Sequence, residues 1–279
     1  MTILLPKSLA EATAMLADNT SATLLTGGTD LMVEINFNHR KPESVIALRH
    51  VEELQSWSIN EKEGTVFIGA SVPYKTMETG ALASAVPALA QAARTVGSPQ
   101  IRAAGSIGGN LGTCSPAGDS LPVLSALDAI VHLSSTTGSR SVQFNDFMVG
   151  PKRNSRLPGE IITGVTLPVC NGRQGYAKVG VRNAMVISVA SACFALQNGT
   201  ARIALGSVGP VIIRCVEAEA YLNSLLASGT VLNSDIATEF GRIVSSESRP
   251  IDDHRSTAAY RRHAVGVLAQ RLVLRGELS

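Results

Sequence analysis

Two glycine pairs with polar neighbours are the first residues in this sequence that could carry out binding chemistry. One pair lies in Thr26–Gly27–Gly28–Thr29–Asp30 and the other in Ser106–Ile107–Gly108–Gly109–Asn110. Glycine lets backbone N–H groups approach an anion closely, and the flanking hydroxyl and amide groups add hydrogen-bonding capacity. Together the two segments could grip a pyrophosphate from both sides. Taken alone, the first segment is better explained as a tight turn in which Thr29 or Asp30 caps a helix.

Two charged residues could add side-chain contacts to such a ligand. Asp119 follows the second glycine segment, and its carboxylate could accept hydrogen bonds from ribose or ribitol hydroxyls. It could equally cap the helix that follows. Lys178 could stabilise an anionic reduced flavin or contact a phosphate, whereas periodicity alone predicts a solvated strand lysine.

Several other kinds of site are excluded by the residue patterns. The sequence has no GxGxxG fingerprint and no GxxxxGK[ST] phosphate loop, so neither a Rossmann site nor a P-loop explains the glycines. Cys114, Cys170, Cys193 and Cys215 are too widely spaced for a zinc or iron–sulfur site, and we expect Cys193 and Cys215 to be buried small apolar residues. No nucleophile triad or acid–base pair is recognisable, so we assign no catalytic residue and no metal ligand.

Charge and hydropathy narrow the class of partner. The 24 Lys and Arg residues against 22 Asp and Glu leave a net charge of +2, without a block of like charge suited to nucleic acid or an anionic membrane. The start of the chain lacks a secretory signal pattern, and no apolar run is long enough to span a bilayer. We therefore expect a cytoplasmic protein whose ligand is small.

Alternating strands and helices should position the glycine segments. The segment 100–119 lacks periodicity and is predicted as a long functional loop, and 149–159 is predicted as a loop. Before residue 170 the pattern predicts a helix from the Ser8 cap to Ala17, strands 22–25 and 44–48 around a helix 31–35, a hairpin of 56–59 and 65–68, a helix 88–96, a helix from 119 or 120 to 128, and strands 129–133, 141–144 and 161–167.

A change of pattern near residue 170 predicts a domain boundary, with domains at 1–170 and 171–279. Pro168, Asn171, Gly172 and Gly175 are residues typical of such a boundary. Beyond them the pattern predicts strands 176–182, 187–196 and 201–207 and helices 216–226, 234–244 and 257–274. We expect an α+β protein whose second domain is a three-stranded antiparallel sheet packed on three helices.

Seven segments, in order along nearly the whole chain, carry a family resemblance. They are TGGTDL at 26–31, VGSPQIRAAGSIGGNLGTCSPAGD at 96–119, EIITGVTLP at 160–168, YAKVGVRNAMVISV at 176–189, ALGSVGP at 204–210, AEAYL at 218–222 and DDHRSTAAYRRHAVGVLAQR at 252–271. In these segments the chain resembles the flavoprotein subunits of the molybdenum hydroxylases, the xanthine dehydrogenase and carbon monoxide dehydrogenase group. It departs from them at Ala103–Ala104, where the family often has Asn-Arg, and at Cys114.

The resemblance implies a fold, a cofactor and a set of site residues. The first domain would be an FAD-binding domain of the vanillyl-alcohol-oxidase (PCMH) type. By position, the two glycine segments would hold the FAD pyrophosphate, Asp119 would bind a cofactor hydroxyl, and Ile162 and Lys178 would lie near the flavin. FAD would be noncovalent, because no histidine lies near either glycine segment.

The resemblance also implies a role within a larger enzyme. Electrons from a molybdopterin-binding subunit would pass through the clusters of an iron–sulfur subunit to FAD here and then to an external acceptor, in a dimer of heterotrimers. Molybdopterin and iron–sulfur clusters are expected only in those partners. Two alternatives remain open: a self-contained flavin oxidase or reductase of the same fold, and a non-catalytic nucleotide-binding or assembly protein.

Overall fold

The computed structural model describes residues 1–275, and those residues form four β-sheets and twelve α-helices. The strands are β1 (Thr2–Leu4), β2 (Thr23–Leu25), β3 (Ser44–Ala47), β4 (Trp57–Asn60), β5 (Thr65–Gly69), β6 (Ile130–Ser135), β7 (Gly138–Gln143), β8 (Met148–Gly150), β9 (Arg153–Asn154), β10 (Ile161–Pro168), β11 (Arg173–Val179), β12 (Ala190–Gln197), β13 (Thr200–Gly206) and β14 (Ile213–Arg214). The helices are α1 (Leu9–Asp18), α2 (Leu31–Asn36), α3 (Tyr74–Met77), α4 (Gly80–Ala85), α5 (Pro87–Thr95), α6 (Pro99–Ala104), α7 (Ile107–Thr113), α8 (Leu121–Ala126), α9 (Phe144–Phe147), α10 (Val216–Ala227), α11 (Ser234–Glu247) and α12 (Ala258–Leu274).

A small parallel sheet opens the chain in the strand order β1-β3-β2. Ser8 caps α1 as predicted, since its hydroxyl accepts a hydrogen bond from the Glu11 amide at 3.2 Å. Ala12 and Leu16, one helical turn apart, are buried against β3. The first glycine segment lies between β2 and α2, which confirms the predicted order of strand, turn and helix.

A five-stranded antiparallel sheet, ordered β4-β5-β10-β6-β7, forms the centre of the first region. The predicted hairpin is β4 and β5, in which Trp57 pairs with Ile68. The central strand β10 is largely buried along its length, as expected for a strand covered on both faces. Helix α7 packs on β10, and α5, α7 and α8 contribute buried residues to the same core.

The predicted long loop over 100–119 is wrong, because α6 and α7 occupy most of it. Ser98 and Ser106 cap these helices by accepting from the amides of Ile101 and Gly109. Both helices are short and rich in Gly and Ala, so they carry no apolar stripe that periodicity could detect. The predicted loop at 149–159 likewise contains the paired short strands β8 and β9.

The sheet of the second region has four strands, not the predicted three, in the order β11-β12-β13-β14. The added strand β14 has only two residues, too few to show an alternating pattern. Strand β11 begins at Arg173, before Gly175, whereas the predicted strand begins at 176 after the boundary residues. That glycine packs closely, since a Cβ there would lie 3.0 Å from the side chain of Leu272 in α12. The three predicted helices are α10, α11 and α12.

The apolar core continues across residue 170. Tyr176, Cys193, Ala195 and Ala204 of the second region belong to the same buried cluster as α5 and α8. A separate core lies between the four-stranded sheet and α10 to α12, and it includes Cys215. Cys193 and Cys215 are fully buried, as predicted. Among residues 1–275, no helix is long and apolar enough to cross a membrane.

Candidate functional site

A cleft of about 690 Å³ brings the two glycine segments together, a size common for cofactor sites. Of the residues predicted from sequence, Ile107 and Lys178 do not line it: Ile107 is buried in the core, and Lys178 lies behind the wall. The predicted residues that line the cleft are Thr26, Gly27, Gly28, Thr29, Asp30, Ser106, Gly108, Gly109, Asn110, Asp119 and Ile162.

The first glycine segment presents backbone donors to this cleft. A Cβ at Gly27 would lie 1.8 Å from the carbonyl oxygen of Ala104, and Gly28 has a φ of +71°. Both positions therefore require glycine. Within residues 1–275, the amides at positions 27–30 donate no hydrogen bond to a protein acceptor. Asp30 accepts from the Thr113 hydroxyl at 3.2 Å and does not cap α2 through its side chain.

The second glycine segment forms the start of α7. Gly108 donates to the carbonyl of Ala70 at 2.9 Å, and a Cβ there would lie 2.6 Å from the same oxygen. Gly109 is different, because an added Cβ would meet only the Ser106 hydroxyl at 3.5 Å. Packing therefore explains Gly108, whereas the missing side chain of Gly109 keeps the cleft open.

Asp119 and Lys178 form a buried ion pair at the wall of the cleft. Lys178 Nζ donates to Asp119 Oδ2 at 2.7 Å and to the carbonyls of Thr95 and Val186 at 2.9 and 3.1 Å. Each side chain of the pair is only 8% exposed. The solvated-lysine alternative is therefore wrong, and all three ammonium hydrogens are used within the protein.

Hydroxyl groups complete the surroundings of the Asp119 carboxylate. Tyr176 and Ser188 donate to Oδ1 at 2.8 and 3.3 Å. Burial raises the pKa of Asp119 above its ordinary value, while Lys178 and these hydroxyls act in the opposite direction. The helix-cap alternative for Asp119 is also wrong, because the N-cap of α8 is Ser120 and no side chain caps that helix.

A second buried hydrogen-bond chain was not predicted from sequence. The Ser120 hydroxyl donates to Asn110 Oδ1 at 2.6 Å and lies 3.2 Å from the Tyr74 hydroxyl. Burial raises the pKa of Tyr74 well above its ordinary value, so its phenol stays protonated. This chain fixes Asn110 against the wall, and no local sequence signal joins three residues so far apart.

Three cations at one end of the cleft were also missed. Arg40 and Lys152 both pair with Glu34, at 3.8 and 3.1 Å, whereas Arg156 donates to the carbonyl of Glu160 at 2.6 Å. All three cations line the cleft. They come from loops in which single basic residues have no pattern of their own.

The cleft is built for binding. Within residues 1–275 no group of three or more His, Cys, Asp and Glu side chains could hold a metal ion. The nearby thiol of Cys114 is buried, which raises its pKa to about 12 and leaves it unreactive at neutral pH. What the cleft offers is unengaged backbone amides, two positions without a Cβ at Gly28 and Gly109, and a polar wall.

Comparisons with known proteins cover almost the whole chain. Residues 1–170 match the model of the FAD binding domain in molybdopterin dehydrogenase, and residues 176–275 match the CO dehydrogenase flavoprotein C-terminal domain. The glyceraldehyde dehydrogenase medium chain of Sulfolobus acidocaldarius is 32% identical over 271 residues, 95% of this chain and 94% of that relative. A putative xanthine dehydrogenase FAD-binding subunit of Escherichia coli K12 is 28% identical over 95% of this chain and 92% of its own length.

Solved structures agree with these relatives. Quinoline 2-oxidoreductase from Pseudomonas putida superposes with a TM-score of 0.91 at 25% identity, covering 100% of this chain and 97% of that one. The carbon monoxide dehydrogenase of Hydrogenophaga pseudoflava gives a TM-score of 0.90 at 26% identity, with coverages of 100% and 97%. The predicted resemblance is confirmed: this chain belongs to the family of FAD-binding subunits of molybdenum hydroxylases, which are multi-subunit oxidoreductases.

Proposed function

We propose that the cleft binds one FAD noncovalently, with its pyrophosphate between the two glycine segments. The observation that carries this proposal is that both segments face one cleft, where the amides at positions 27–30 lack protein acceptors and Gly109 adds no side chain. Backbone amides are suitable donors for a diphosphate. The FAD-binding region would then have the vanillyl-alcohol-oxidase (PCMH) fold, with domains at 1–170 and 171–279.

The wall residues would orient the cofactor. Asp119 lines the cleft, and a carboxylate has lone pairs beyond those that its protein donors use, so it would accept a hydrogen bond from a cofactor hydroxyl. Lys178 would act near the flavin through Asp119, since its own hydrogens are all engaged. We place the flavin at this end, where residues 185–187 of the second region also line the cleft.

Bound FAD supplies two-electron chemistry, and the chain binds, orients and shields it. We propose that the electrons come from an iron–sulfur subunit and a molybdopterin-binding subunit, in a cytoplasmic dimer of heterotrimers, and leave for an external acceptor. The support is that the relatives are medium chains and FAD-binding subunits of dehydrogenases. A group of side chains suited to a metal ion is absent from residues 1–275.

The cofactor is tested on the protein purified with the subunits that accompany it. We expect a flavin spectrum that bleaches with dithionite, and FAD in the supernatant after acid precipitation. Flavin that remains in the pellet would contradict noncovalent binding, and a protein without flavin that takes up no added FAD would contradict the proposal as a whole.

The role in electron transfer is tested by omission of subunits. Substrate should reduce the flavin only when the iron–sulfur and molybdopterin-binding subunits are both present. Efficient substrate oxidation by the single chain with FAD alone would instead support the self-contained oxidase or reductase.

A further inference from the structure

The cleft has two distinct ends, which lie along helix α7. At one end Gly27 abuts Ala104, immediately before the helix, and at the other Asp30 is bonded to Thr113, the last residue of the helix. Seven helical residues span about 10 Å. The first end is continuous with Val96 and residues 185–187, because Arg102 of α6 donates to the carbonyl of Val96 and Lys178 bonds both to Thr95 and to Val186.

Arg156 belongs to the second end. The side-chain amide of Asn154 donates to the carbonyls of Leu111 and Gly112, at 3.2 and 3.3 Å, in the last turn of α7. The side-chain oxygen of Asn154, Oδ1, in turn accepts a hydrogen bond from the backbone amide of Arg156 at 3.2 Å. These bonds hold the segment that carries Arg156 against the C-terminal end of α7, and Arg156 lines the cleft there.

The guanidinium of Arg156 lacks an ion-pair partner within residues 1–275. The carboxylate of Glu160 is engaged by Arg140, at 2.5 and 2.8 Å, and by the Leu157 amide at 2.6 Å. Arg156 donates only to the Glu160 carbonyl, through Nη1 at 2.6 Å. Burial lowers the pKa of Arg156, and the charge of Glu160 offsets this only in part.

The other two cations at this end are in a different situation. Arg40 and Lys152 share the single carboxylate of Glu34, so each has an ion-pair partner and only one of their two charges is neutralised. A guanidinium has five N–H donors, and Arg156 uses one of them in its side-chain bond to the protein. The rest are available to a ligand in the cleft. Burying a cation whose N–H groups lack hydrogen-bond acceptors costs free energy, and a ligand that supplies acceptors would reduce this cost.

We propose that Arg156 binds the adenosine half of FAD and makes this site select FAD over FMN. This inference rests on the proposed function, in which the glycine segments hold the pyrophosphate and the flavin lies toward residues 185–187. The adenosine must then extend toward the C-terminal end of α7. A guanidinium can stack on a purine ring or donate to its ring nitrogens and to ribose hydroxyls.

Ile162 fits the same assignment. It lies two residues beyond Glu160, whose carbonyl holds Arg156, and it lines the cleft with only 7% of its surface exposed. We therefore assign Ile162 to the adenosine end, as an apolar surface beside the ring, whereas the resemblance placed it near the flavin. FMN ends at a single phosphate and would leave both residues without a contact.

The test compares ligands that contain different parts of FAD. Flavin-free protein is titrated with FAD, FMN and AMP by calorimetry, as wild type and as Arg156→Met. Loss of hydrogen bonds from a charged donor should weaken FAD and AMP binding about 10-fold or more and leave FMN binding unchanged. Arg153→Met is the matched control, because Arg153 is exposed and does not line the cleft.

The outcomes separate this inference from the proposed function. A protein that binds neither FAD nor FMN contradicts the proposed function, whereas equal wild-type affinity for both overturns only the role of Arg156. Equal losses of FAD and FMN binding in Arg156→Met, or no loss of FAD binding, also overturn it. If Arg156→Met does not fold, Arg156→Lys decides, because it keeps the charge but lacks the planar fork. AMP binding unaltered by that substitution would refute the proposal.

Discussion

Replacing Asp119 with Ala should destabilise the protein far more than the loss of a helix cap. The substitution leaves the ammonium of Lys178, 8% exposed, with only the carbonyls of Thr95 and Val186. Removing one partner of a buried ion pair costs about 3–5 kcal/mol, compared with about 0.5–2 kcal/mol for a cap. Tyr176 also loses its acceptor, so we expect a cost in the upper range.

The assay is urea unfolding of the flavin-free protein, in which the midpoint should fall with an unchanged m-value. The double variant Asp119→Ala/Lys178→Met should be more stable than Asp119→Ala alone, because no unpaired charge remains. Glu239→Ala, which breaks a solvent-exposed pair with Arg242, is the control and should leave the midpoint near that of wild type. A loss below about 2 kcal/mol, or a double variant whose cost equals the sum of the single costs, would refute the buried-pair argument.

FAD affinity gives the same variant a second readout. If Asp119 also accepts a cofactor hydroxyl, Asp119→Ala should weaken FAD binding by about 1.5–3 kcal/mol, which is roughly 10- to 100-fold. An unaltered affinity in the folded variant would leave Asp119 with a purely structural role.

Three further results are expected. Gly109→Val should abolish FAD binding and keep the fold, because the valine side chain would project into the cleft. The control is Gly150→Ala, whose added Cβ makes only an ordinary contact at 3.7 Å. Equal FAD content in the two variants would contradict this prediction. Gly266→Ala should lower the melting temperature, because a Cβ at this position in α12 would lie 2.9 Å from the carbonyl oxygen of Gly241 in α11. This clash should outweigh the higher helix propensity of Ala. A raised melting temperature would show instead that α11 and α12 can move apart. Burial raises the pKa of Asp253, but hydrogen bonds from two amides and from a buried guanidinium outweigh it and hold the pKa at about 2, below its ordinary 3.8. The stability that Asp253 contributes is therefore present above about pH 4 and lost as the pH falls toward 2; melting temperatures measured across this range should fall less in Asp253→Asn.

The parts of the fold that sequence predicts are those with local causes. The Ser8 cap, the turn at the first glycine segment and the hairpin of β4 and β5 each depend on residues within a few positions of one another. Helix α7 was missed because its glycines serve contacts with other segments, such as that of Gly108 with Ala70. Strand β14 was missed because two residues are too few to show an alternating pattern, although they pair with the preceding strand β13.

The same distinction holds for the site. The glycine segments are local motifs, and most of the site residues predicted from sequence line the cleft. Lys178 was open to misassignment because strand alternation treats it as solvated, whereas Thr95 and Val186 cover it. Arg156 has no local pattern. Only the fold shows that Arg140 already uses the Glu160 carboxylate.

The core shared across residue 170 limits how this chain can recombine with its relatives. The backbone amide of Tyr176 donates to the side-chain oxygen of Gln91 in α5. Arg214 donates to the carbonyl of Ser125 in α8 and to the carboxylate of Asp128, just after α8. A chimaera spliced at residue 170 would set one parent's second half against the other parent's α5 and α8. Its seam would then contain mismatched side chains and a buried lysine dependent on a foreign carboxylate. A crossover before Pro87 would keep the second half with its own α5 and α8, and would move the seam to the pairing of β5 with β10.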